Sequence, residues 1–155
     1  MKNRYLIFLV IIVISLTFAL GVMIPIPKFW DFPFFKYNLT FGFLFLFFTM
    51  TMFLYKYTPL AYGSIILKGL IPVASVPLIF FLIGAVNHVQ TYIDEESYEA
   101  LLSHVSMVST PKSKRLTHYI RTELVFLGVA SIISCFAFVV RTAISIWRNK
   151  NRGTA

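Results

Sequence analysis

The residues able to do chemistry in this chain are few, and most crowd into one interval. His88, His104 and His118 lie between residues 87 and 123, as do Asp94, Glu95, Glu96, Glu99 and Glu123. Of the six acidic residues only Asp31 lies elsewhere. Imidazole with nearby carboxylate is the usual ligand set of a transition metal, so a metal or haem site has to be weighed. The separations fit no ligand motif, and the histidines read as interfacial or solvated, with no metal and no cofactor expected. Cys135 is the single cysteine, which excludes an intrachain disulfide framework and the paired thiols of a membrane thiol oxidoreductase. Serine and threonine are scattered without an identifiable base, and neither a nucleophile motif nor a glycine-rich phosphate loop occurs. Enzymatic activity is not expected.

The elements that hold these residues are apolar. The chain is 58% hydrophobic and 17% aromatic with only 13% charged residues, and 17 of its residues are Phe. A soluble domain of 155 residues could not hide that much apolar surface in one core, so part of the solvent must be lipid. The net charge of +8 would suggest nucleic acid in a soluble chain. Here it reads as the basic flanks that orient membrane helices, with no nucleic-acid partner. The expected fold class is all-α, a polytopic integral membrane protein with four transmembrane helices over about 5–24, 39–55, 69–86 and 124–147, all in one membrane domain.

Residues 5–24 carry no charge and are long enough to cross about 30 Å of hydrocarbon. A cleaved signal peptide is the competing reading, but residues 20–24 stay apolar past the small-residue site at 17–19, which favours a retained helix. Pro25 and Pro27 end it. The following connection holds Phe29, Trp30, Phe32, Phe34 and Phe35 between Lys28 and Lys36, and so aromatic a loop should lie in the headgroup zone or present a binding surface through Trp30 and Phe32. Asn38-Leu39-Thr40 matches a glycosylation acceptor but abuts the second span too closely to be used. That span alternates Phe41, Phe43, Phe45 and Phe47, yet the residues between are apolar too, and an isolated strand would leave its backbone unpaired in lipid, so helix is expected. Pro72 and Pro77 should kink the third span, whose Ala74, Ser75, Gly84 and Ala85 suit close packing more than lipid exposure. In the fourth, Gly128, Ser131 and Cys135, or Ala130 and Ser134, place small residues on one face, and Arg141 is near enough to Trp147 to snorkel to the same surface.

The hydrophilic interval 87–123 has its own pattern. Asp94 is a candidate cap for an amphipathic helix over 94–109 whose apolar face is Tyr98, Leu101, Leu102 and Val105. Thr110-Pro111 should end that helix, and a basic connector with Lys112, Lys114 and Arg115 should lead into the last span. The helix rests on the membrane, caps the bundle or binds a partner.

With four spans, the basic residues Lys2, Arg4, Lys56, Lys68, Arg141, Arg148, Lys150 and Arg152 share one side with no acid, which places both termini in the cytoplasm of a bacterial inner membrane. No span has Asp, Glu or His at its centre, which argues against proton-coupled antiport, including the small multidrug-resistance type with its first-helix glutamate. One cysteine likewise argues against a tetraspanin-like protein. The expectation is a non-enzymatic membrane protein acting through helix packing and the outer loop. It would partner the lipid bilayer and another membrane protein, by way of Tyr98, Leu101, Leu102, Val105, Trp30 and Phe32. The plan is similar to that of some immunity proteins against pore-forming colicins, in span count alone. The alternatives are a small channel or transporter subunit and an accessory subunit of a larger membrane complex.

Overall fold

The computed structural model describes residues 2–95 and 111–151, and within them the chain is helical with no strand. Four long helices account for nearly all of it: α1 (Lys2–Met23), α2 (Phe35–Phe53), α3 (Ile65–Glu95) and α4 (Pro111–Asn151). Three of them contain stretches long and apolar enough to cross a membrane, Asn3–Met23, Lys68–Glu95 and Ser113–Asn151. The shorter α2 begins with the polar residues Lys36, Asn38 and Thr40.

The helices do not close into a symmetric four-helix bundle. The close backbone packings are α1 with α2, α2 with α4 and α4 with α3, which puts α1 and α3 at the two ends of a row. α2 lies antiparallel beside α1, with Gly42 against Ala19, Phe45 near Phe18 and Phe47 against Phe8. In lipid an apolar surface gains nothing by leaving solvent, so close approach depends on small residues and interlocking shapes. Gly42 and Gly128 supply it here: a methyl group at Gly42 would lie 3.2 Å from the Ala19 Cα, and one at Gly128 would lie 2.5 Å from Val86 Cγ2. Gly128, Ser131 and Cys135 do form the inward face of α4, as their spacing suggests.

Two apolar clusters follow one another along the helix axes. The first joins Phe41 of α2, Leu82, Val89 and Ile93 of α3, and Ile120, Leu124 and Leu127 of α4, and is covered by Ile26, Phe32 and Phe34. The second, toward the other end, joins Phe48, Tyr55, Cys135 and Phe138. Several hydroxyls within the helices donate to their own helix, as in Ser15 to the Ile11 carbonyl at 2.7 Å, Ser75 to Ile71 at 2.8 Å and Thr142 to Phe138 at 2.9 Å. Back-bonding of this kind lets a polar residue sit in an apolar surrounding without an unpaired group.

Several expectations are corrected. Residues 87–95 are not loop but the last turns of α3, and 111–123 are not a connector but the first turns of α4. Asp94 lies within α3, one residue before Glu95, and the start of the helix it was expected to cap lies outside the described residues. α4 has 41 residues and so is about 60 Å long, twice the hydrocarbon thickness, and its polar first turns stand beyond the apolar run 124–146. α3 runs through Pro72 and Pro77 as one helix, a continuity that a kink at either proline leaves intact. It is also the least covered of the three candidate spans: Ser75 and Ala85 face inward, whereas Ala74 and Gly84 are exposed. The proposed amphipathic helix, 94–109, falls almost wholly outside the described residues, as do Tyr98, Leu101, Leu102 and Val105.

Candidate functional site

The connection between α1 and α2 decides what the end of the molecule near Met23 looks like. Lys28 adopts the left-handed backbone region, with φ of 47°, and turns the chain into a short 3-10 segment, Phe29–Asp31. The turn separates the aromatic residues by direction. Phe32 and Phe34 fold inward, each only 3% exposed, and Phe34 meets the Tyr92 ring edge-on at 4.9 Å and His88 at 6.2 Å. Trp30 points out, 68% exposed. Of the two loop residues expected to meet a partner, then, Phe32 is part of the core and Trp30 is on the surface.

Beneath this aromatic lid sits a polar pair that sequence reading missed. The Asn38 amide donates through Nδ2 to Glu123 Oε1 at 2.7 Å, joining α2 to α4 across 85 positions of chain. Asn38 is fully buried and Glu123 is 7% exposed. The remaining oxygen of each, Asn38 Oδ1 and Glu123 Oε2, is buried without a hydrogen-bond partner among the described residues. Burial pushes the Glu123 carboxyl up to about 7, against the pull of the Asn38 N–H, which favours the ionised form. Both residues stand just outside the apolar runs, Asn38 before Leu39 and Glu123 before Leu124. That shared boundary position was the available signal. Asn38 had been visible only as a glycosylation acceptor, and its buried amide leaves no access for one.

Around the pair, the Tyr119 hydroxyl donates to the Val22 carbonyl at 3.2 Å, tying α4 to the end of α1. Arg121 reaches Asp94 at 3.5 Å on the surface where α3 and α4 run side by side. A groove of about 400 Å³ lies next to that ion pair, lined by Gln90, His118, Arg121, Val125 and Phe126 among others. His118 lines the groove, His88 meets the Phe34 ring edge-on and the Tyr37 ring at a tilt, and His104 is outside the described residues. Among the described residues no group of three histidine, cysteine or acidic side chains is placed to hold a metal.

At the opposite end three cations turn toward one connection. The Arg4 guanidinium lies 3.4 Å from the Tyr62 ring centroid, the buried Lys68 donates from Nζ to the Ala61 carbonyl at 2.8 Å, and Arg141 sits 5.4 Å from the Tyr55 ring. Arg141 thus meets an aromatic face at the end where snorkelling was expected. Lys68, expected as a solvated flank, is instead a strut that pins the 3-10 turn Pro59–Ala61 to the start of α3.

No protein-family model, curated protein or solved structure matches this chain. The arrangement has to be read from its own chemistry.

Proposed function

We propose that this chain is a four-span membrane protein without enzymatic activity that works by packing against another membrane protein. One observation carries the reading. The space between α2, α3 and α4 is filled by Phe41, Leu82 and Leu124, each fully buried, while α1 and α3 present long exposed apolar faces, with Leu9, Val13, Val73 and Phe80 among them. A filled interior favours a packing role over a conduit through the monomer. Pro77, which a solute path along α3 would use, lies on the exposed side. α2 supplies the fourth crossing in this reading because it runs antiparallel to α1 at the same depth.

The basic residues Arg4, Lys68 and Arg141 gather at one end, which supports a cytoplasmic placement of both termini in a bacterial inner membrane. A reporter active only in the cytoplasm, fused after Ser109, should stay silent; activity there overturns the topology. One concrete form of the function is immunity or exclusion, in which the protein binds an incoming pore-former or transfer machine inside the bilayer. Expression should then protect cells against a toxin encoded beside the gene. Solute flux through vesicles containing this protein alone would instead favour a channel or transporter subunit.

A further inference from the structure

We propose that Asn38 and Glu123 form a proton-binding site, in which a neutral carboxylic acid and the carboxamide close a ring of two hydrogen bonds and latch α2 to α4 beneath the aromatic lid. The argument is one of donors and acceptors. An ionised carboxylate only accepts, and the carboxamide oxygen only accepts. With Nδ2 already donating to Oε1, the two oxygens left over belong to the same pair and neither has a donor. A single proton on Glu123 Oε2, donated to Asn38 Oδ1, satisfies both at once. Leaving them unsatisfied in a buried place is costly, and a buried carboxylate without a cation more so.

Among the described residues the neighbours offer no other solution. On α4, the hydroxyl of Tyr119 is spent on the Val22 carbonyl, and Arg121 is engaged with Asp94 of α3. On α3, His88 and Tyr92 pack as rings on Phe34, and His88 also on Tyr37. On α2, Lys36 is exposed, as are Lys28 and Asp31 of the lid segment. The titratable residues of α1, Lys2, Arg4 and Tyr5, lie at its far end. Glu123 makes no ion pair among the described residues. A metal cation in place of the proton would want six or more oxygen ligands, and this pair brings few.

The pH dependence has a definite sign. An unfolded chain releases this proton near 4.5, whereas the folded chain holds it to about 7. The latch therefore contributes fully below the first value, weakens as pH rises between the two and is lost above the second. The test is thermal unfolding of the full chain in lipid nanodiscs as a function of pH, for the wild type and Glu123→Gln. Glutamine places an N–H where the proton would be, so E123Q should match the acid-pH Tm of the wild type and hold it to alkaline pH. The difference between the two proteins should open by several degrees as pH rises. An unchanged pH slope in E123Q, or a wild type whose high-pH stability is restored by sodium, overturns the proposal. Should E123Q fail to fold, infrared spectra of the wild type decide: a protonated carboxyl stretch present at acid pH and lost above neutrality supports the site, and its absence at acid pH overturns it.

Discussion

Gly128 offers the sharpest check on how this protein holds together. Replacing it with alanine adds a methyl group 2.5 Å from Val86 Cγ2 and 3.3 Å from Phe41 Cε2. Carbon atoms in comfortable contact are about 3.5–4.0 Å apart, so the first distance is short by about an ångström. Phe41 is fully buried and has no solvent to retreat into, and a valine side chain has few alternative positions, so α3 and α4 must separate. Overpacking of this kind costs about 1–3 kcal/mol, against about 1 kcal/mol gained because alanine is the better helix former. G128A should therefore lose up to about 2 kcal/mol in reversible unfolding from mixed detergent micelles. The double mutant with Val86→Ala isolates the cause. Removing the methyl that is struck should make the pair less destabilised than the sum of the single changes by about 1 kcal/mol or more. Gly84, with nothing within 4 Å, is the control: G84A should be neutral or stabilising. Additive costs for G128A and V86A, or a loss in G84A as large as that in G128A, would refute the idea that α3 and α4 meet through this glycine.

Other expectations follow from single side chains. Thr51 Oγ1 is buried without a partner, so Thr51→Val should raise stability by about 1 kcal/mol in the same unfolding assay. Lys28 holds a left-handed backbone, and Lys28→Gly should relieve about 1 kcal/mol, seen as a higher Tm. Lys68→Met removes the bond to the Ala61 carbonyl and should cost about 1–3 kcal/mol, with faster proteolysis of the 54–64 connection as a second readout.

The aromatic loop and the hydrophilic interval show where sequence reading succeeded and where it stopped. Pro25, Pro27 and the cluster Phe29 to Phe35 do mark a break between helices. Which rings turn inward was not legible, because Trp30 lies within the 3-10 turn Phe29–Asp31 and Phe32 and Phe34 follow it, and that turn is entered through a left-handed backbone at Lys28 that a lysine does not announce. The interval 87–123 was recognised by its polarity, but polarity ends a membrane span without ending a helix. Residues 87–95 and 111–123 continue α3 and α4 as helix, burying Val89, Ile93 and Ile120 against each other's helices while Gln90, Asp94, Lys114 and His118 stay exposed. The small residues of α3 divide for a related reason: they permit close packing without compelling it, and Ser75 and Ala85 face inward while Ala74 and Gly84 are exposed among the described residues.

By itself the sequence determined that the chain is helical and belongs in a membrane. An apolar run of about twenty residues has few other ways to satisfy its backbone in lipid. Tertiary structure alone decided which face of each helix turns inward, that the helices lie in the order α1, α2, α4, α3, and that Asn38 meets Glu123. The physical reason is that lipid is as apolar as a protein interior. Hydrophobicity therefore labels a residue as membrane-embedded without saying what it touches, and only shape, as at Gly42 and Gly128, or a shared hydrogen bond across 85 positions, chooses the neighbour.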